Sequence, residues 1–63
     1  MLNTIKSHKL QKEIYYYTED IDWSESRAAW TAPGMGSDGE EYDVILDERG
    51  SGYSVRDVRP HNT

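Results

Sequence analysis

The segment Gly34-Met35-Gly36-Ser37-Asp38-Gly39 has the GxGxxG spacing of a phosphate-cradling turn. Such a turn works by letting backbone amides approach a pyrophosphate at a helix N-terminus, inside a strand-helix-strand unit of about 30 residues. Here Glu40 and Glu41 follow at once and put carboxylates where the phosphate would sit. The segment is therefore read as a flexible loop, and no cofactor is expected. Asp38, Glu40 and Asp43 are acids at short spacing, but they lack the alternating ligand order and sixth-position glycine of a calcium loop. His8 and His61 lie in the terminal segments with no second ligand at zinc-like spacing, and the chain has no cysteine. No metal is expected. Nor is there a serine, histidine and acid set, and so thin a chain has little depth in which to bury and tune a general acid or base. The expectation is a protein that is not an enzyme.

What remains is binding chemistry. The net charge is -5. Residues 13–48 hold eleven acids against Arg27 alone, a local balance of -10. Residues 1–12 carry Lys6, Lys9 and Lys12 with no acid, and the C-terminal part carries Arg49, Arg56 and Arg59 against Asp57. Such a field attracts a cationic surface and repels nucleic acid, so the expected partner is a protein with a basic surface, with no direct nucleic-acid contact. Glu40, Glu41 and Asp43 are candidate contact residues, either as carboxylates standing in for phosphates or as a face that only keeps the domain soluble. Tyr15, Tyr16 and Tyr17 are consecutive, so in a strand at least one ring must leave the core face. Tyr15 and Tyr17 are candidate anchors for a partner, with cross-strand stabilisation as the alternative. Trp23 and Trp30 are assigned to the core.

These residues must be positioned by very little protein. At 63 residues the chain is one domain, 1–63, and a domain of this size hides only about 60% of the surface its unfolded chain exposes. Residues 1–9 and 60–63 are expected to be flexible. With no phenylalanine, the tryptophans and tyrosines must supply much of the buried area. The lack of cysteine fits a reducing, cytoplasmic setting, and no apolar run is long enough to span a bilayer. So small a core makes homodimerisation one way of adding stability.

Lys12 to Thr18 reads as a strand with Ile14 and Tyr16 on one face and Tyr15 and Tyr17 on the other. Glu19 to Glu25 is turn-like, Ser26 to Ala32 reads as a second strand with Ala28 and Trp30 inward, and Pro33 to Gly36 reads as a loop. Residues 38–49 are expected to be a helix. Ser37 and Glu40 form a capping box, acids crowd the first turn, Tyr42, Ile45, Leu46 and Arg49 share a face, and Gly50 can end it. The alternative is a strand in which Tyr42, Val44 and Leu46 alternate inward and Arg49 to Gly52 forms a hairpin loop. Tyr53 to Arg59 is the last strand, with Val55 and Val58 out of period and hence a bulge. The expected fold class is α+β, a small antiparallel β-sheet with one helix in the order strand, strand, helix, strand; an all-β meander is the alternative.

The segment Gly52-Tyr53-Ser54-Val55-Arg56-Asp57-Val58-Arg59-Pro60 resembles the C-terminal strand of the small, acidic podophage inhibitors of bacterial RNA polymerase. Ile14 to Thr18 resembles that family's first strand, and Asp38 to Arg49 falls where its helix would be. The resemblance implies an inhibitor that places Arg56 and Arg59 on the polymerase-contacting strand and uses its acids to repel template DNA. The acid-rich connection after the first strand and the glycines at 34 to 39 depart from the family's pattern. Two further functions stay open: a DNA-mimic inhibitor of a nuclease, glycosylase or CRISPR complex, and a structural or accessory subunit.

Overall fold

Apolar side chains at alternate positions build this chain into strands. The computed structural model describes residues 1–61. Within them lie β1 (Leu2–Ser7), β2 (Lys12–Tyr17), β3 (Asp22–Ser24), β4 (Ala29–Gly36), β5 (Glu41–Arg49) and β6 (Gly52–Pro60), with a 3-10 turn at Thr18–Asp20. They form one antiparallel sheet in the order β1-β2-β4-β5-β6, with the short β3 paired to β4. The sheet curls around its own inner face. There Ile14, Tyr16, Ala32, Tyr42, Val44, Leu46 and Val58 make the core, with Ile5, Leu10, Ile21, Trp30 and Val55 packed at its margin.

The expected helix over 38–49 is not formed, and the α+β arrangement is corrected to an all-β one. A helix would spread Val44, Ile45 and Leu46 around its circumference, whereas the strand buries all three: Val44 and Leu46 inward and Ile45 on the opposite face. The two β-branched residues also favour the pleated backbone. The supposed capping residues serve a turn instead. Asp38 accepts a hydrogen bond from the Glu40 amide at 3.1 Å, and Gly39 takes a φ of 82°. Gly50, at φ 55°, opens the two-residue loop between Arg49 and Gly52 rather than ending a helix.

Pro33 to Gly36, read as a loop, is the second half of β4. Gly36 bonds to Glu40 and sets the alternation by which Gly34 and Ala32 turn their backbone groups toward β5. Pro33 consequently turns its missing donor toward the β2 side. The β2–β4 ladder ends at Gly34, and beyond Pro33 that edge of β4 pairs with β3 instead. The glycines let the sheet curl tightly. A Cβ on Gly34 would stand 3.0 Å from a methyl of Ile14 and 3.1 Å from one of Val44; on Gly36 it would stand 2.6 Å from the Tyr42 ring.

Other expectations shift in register. β4 starts at Ala29, and Ala28, expected inward, is the exposed last residue of the Glu25–Ala28 turn with a φ of 52°. Trp30 does pack against the core, but Trp23 is 48% exposed and stacks edge-on against Trp30, which meets Tyr53 in the same way. Residues 1–9, expected to be flexible, contain β1, fully paired with β2. Of the expected tail, Pro60 ends β6, His61 bonds to Glu41 through its amide, and residues 62–63 lie outside the described residues. The bulge in β6 falls at Arg56, which has no partner between Val55 opposite Leu46 and Asp57 opposite Ile45.

One end of the inner face is closed by a polar knot. Lys12 Nζ donates to Asp38 at 2.6 Å and to the Tyr42 hydroxyl at 2.9 Å, and that hydroxyl donates to Asp38 at 2.9 Å. The Lys12 ammonium, followed by the Glu40 amide, holds the Asp38 carboxyl down at about 2.

Gly36→Ala is expected to destabilise the domain by about 1–3 kcal/mol, as overpacking does, and Ala28→Gly to stabilise it by about 0.5–1 kcal/mol by relieving the left-handed strain; chemical denaturation measures both. The Asp38 carboxyl is depressed in the folded state, so its contribution is present above the ordinary carboxylate pKa near 3.8 and is lost as pH falls through about 2. In thermal melts between pH 5 and pH 2, Asp38→Asn is accordingly expected to flatten the acid limb of the stability profile.

Candidate protein-binding face

The outer face of the sheet carries most of the candidate contact residues, and strand register puts them there. Tyr15 lies opposite Met35 and Met35 opposite Glu41, making one row across β2, β4 and β5. Pro33, Asp43 and Arg59 make the adjacent row. Tyr17, two residues from Tyr15, projects from the same face beside Leu2. Tyr15, Tyr17, Pro33 and Met35 with Asp20, Glu41 and His61 line one shallow depression. Its apolar part is open, Tyr17 being 50% and Met35 49% exposed.

The carboxylates around this strip differ in state. Asp20, Glu40 and Glu41 have no ion pair among the described residues. Asp43 is engaged twice, by Arg27 at 3.2 Å and by His61 Nδ1 at 3.0 Å. The Asp43 carboxylate raises the His61 imidazole above its ordinary value of 6.5. The half-buried Tyr15, the exposed Tyr17, Glu41 and Asp43 thus converge, while Glu40 sits outside the face in the β4–β5 turn.

The two arginines are placed less simply. Arg59 shares the face through its row with Asp43 but donates to Asp57 at 3.1 Å, and that contact, with the Val58 amide, lowers the Asp57 carboxyl. Arg56 sits at the bulge and grips Asp47 through both Nε and a terminal nitrogen, which lowers the Asp47 carboxyl and raises the guanidinium. Both cations are matched by neighbouring carboxylates, so β6 is not the free cationic strand that the linear charge pattern suggests. With Arg27 they surround Ile45 and Ala29 at the far end of the face, and the outer face therefore divides into an ion-paired half and an aromatic half edged with free acids.

Sequence reasoning missed Pro33, Met35, Asp20 and Leu2. The alternation of Thr31, Pro33 and Met35 was a usable signal once β4 is continued through its glycines, whereas Asp20 arrives through the 3-10 turn and Leu2 through β1, which no local pattern announced. Among the described residues there is no group of three or more histidines and acids able to hold a metal ion. No helix of the described residues is long and apolar enough to cross a membrane. No protein family, curated protein or solved structure matches this chain.

His61 gains its partner in the folded state, so its stabilising contribution is complete below about pH 6.5 and fades as pH rises through the raised folded value. An NMR titration of the ring protons is expected to place His61 above 6.5, and Asp43→Asn to bring it back toward that value.

Proposed function

We propose that this chain is a small, non-enzymatic, cytoplasmic binding domain that engages a basic surface of a protein partner through the outer face of its sheet. The observation that carries this reading is the exposed strip of Tyr17 and Met35, edged by the carboxylates of Asp20 and Glu41, which form no ion pair among the described residues. Aromatic and thioether side chains supply apolar contact area at interfaces. Carboxylates without internal partners keep their field available to an incoming cation and speed its approach.

The kind of partner this favours is a host nucleic-acid-handling enzyme such as bacterial RNA polymerase, inhibited in the manner of a phage protein, because the surfaces of such enzymes that hold nucleic acid are basic. The resemblance over Gly52–Pro60 supports that choice. It no longer draws support from element order, since a strand stands where the family has a helix. In this reading the tyrosines and free acids make the contacts, while Arg56 and Arg59, already matched by Asp47 and Asp57, contribute less than their charge suggests.

Titration of purified bacterial RNA polymerase with the labelled domain tests this. Binding is expected to weaken steeply as salt rises. Tyr17→Ala and the pair Asp20→Asn with Glu41→Gln are each expected to weaken it by tenfold or more, about 1.4 kcal/mol, with Arg56→Ala changing it by less. Displacement by duplex DNA would favour the DNA-mimic alternative at the same carboxylates. Salt-independent binding that survives both outer-face changes would sink the electrostatic account and leave the accessory-subunit reading.

A further inference from the structure

The curled sheet does not close. Its outermost strands, β1 and β6, bound a groove of about 410 Å³ lined by Ile5 to Lys9 on one side and Val55 to Val58 on the other. Successive antiparallel pairings make β1 and β6 run in the same direction, so a strand entering between them has the same orientation to both.

The two edges are not equivalent. On β1, the Thr18 amide donates to the Met1 carbonyl, and antiparallel alternation from that pair directs Asn3, Ile5 and Ser7 toward β2. Leu2, Thr4 and Lys6 therefore turn both backbone groups outward, in a regular row. On β6, the His61 amide donates to Glu41, which by the same alternation turns Val58 and Pro60 outward. That edge is spoiled. Pro60 has no amide proton, the Val58 amide is taken by its neighbour Asp57 at 2.9 Å, and the bulge at Arg56 breaks the repeat. Proline, bulges and charge are the devices that keep edge strands from pairing; β6 has the proline and the bulge, whereas β1 has only the charge of Lys6 and keeps a regular ladder.

Side chains around the groove have a period-two pattern of their own. On the inner side it meets the half-buried Ile5 and Val55 and the buried Val58. On the outer side Lys6 projects from β1 and Arg56 from β6, with Lys9 at the end of the groove 3.6 Å from Asp57. Asp57 is the only acid of the lining. Arg56 is held by Asp47 and Lys9 by Asp57, so among the described residues Lys6 is the lysine or arginine of the lining with no ion pair, and it stands over an apolar floor.

We infer that β1 is a strand-accepting edge, and that the groove takes an extended segment of a protein partner whose residues alternate between aliphatic and acidic. The backbone of that segment pairs with Lys6 in the groove and continues beyond it along the β1 edge at Thr4 and Leu2. Its aliphatic side chains cover Ile5 and Val55, its carboxylates reach Lys6, and β6 serves as a wall rather than a second ladder. Main-chain bonds give such an added strand its affinity and the alternate side chains its selectivity. This site shares only Leu2 with the outer aromatic strip and offers the Lys6 cation where the strip offers carboxylates, so one can fail without the other.

The test uses the full chain, ¹⁵N-labelled, and a capped heptapeptide of alternating valine and glutamate with valine at both ends. The expected result is saturable binding with shifts at β1 and Val55, and at least tenfold slower hydrogen exchange at the Leu2, Thr4 and Lys6 amides. Lys6→Glu is expected to weaken the glutamate peptide by tenfold or more and to favour its lysine counterpart, a charge swap that loss of fold would not produce. Tyr17→Ala is expected to leave binding unchanged. The inference is overturned if the peptide does not bind at millimolar concentration, or if its shifts map to Tyr15, Tyr17 and Met35. It is also overturned if the Leu2, Thr4 and Lys6 amides are already protected without peptide in a concentration-dependent way, which would give the edge to a second copy of the chain.

Discussion

The constraint on which this structure rests is that a single sheet must bury one of its faces against itself. There is no helix or second sheet among the described residues to cover the inner face, so the strands have to curl until Ile14, Val44 and Leu46 enclose one another. Curling that tight needs a strand with almost no side chains at its centre. β4 provides it with Ala32, Gly34 and Gly36, over which Tyr42 and Ile14 close directly. The same residues weaken β4 as an isolated strand, so its conformation is held by the neighbours that pack on it and not by local preference.

A one-layer domain has consequences for function. Apart from Ile45 and Ala29, buried among Arg27, Arg56 and Arg59, the second face of the sheet meets solvent, and the chain has little room to hide residues that do not fit the core. Aromatic side chains left over from the inner face therefore gather on the outer one, where Tyr15 and Tyr17 meet Met35 and Pro33. The acids on so exposed a surface give it a field. How that field is distributed depends on pairing: Asp43, Asp47 and Asp57 are held by cations, whereas Asp20 and Glu41 at the aromatic strip and Glu40 in the β4–β5 turn have no ion pair among the described residues. Surface ion pairs of this kind add little to stability but fix which charges an approaching molecule meets. The incomplete closure of the sheet is the second consequence, since a curled sheet that stops short of a barrel keeps two edges, of which β6, with its proline and bulge, is the more strongly blunted.

By itself the sequence determined what alternation and composition can determine. Strand β2 was legible because Ile14 and Tyr16 fall on one side of a short aromatic run, and Tyr15 and Tyr17 were identified as outward-facing for the same reason. The bulge in β6 followed from Val55 and Val58 being out of period. The anionic character of the middle of the chain is a matter of counting. Tertiary structure alone decided between helix and strand for residues 38–49, because Ser37, Glu40 and Gly50 suit a helix end and a β-turn equally well. The choice was made by burial of Val44, Ile45 and Leu46 together, which requires neighbours on both sides of β5. It likewise decided that Pro33 to Gly36 is strand, since glycine and proline carry no local signal for a position where the absence of a side chain is what the packing requires. Which charges stay free, and which residues from distant parts of the chain share a face, were also beyond the linear pattern. Arg56 and Arg59 look free in sequence, but hairpin register brings Asp47 to Arg56 and side-chain geometry turns Asp57 onto Arg59, and no property of a residue by itself states its partner across a sheet.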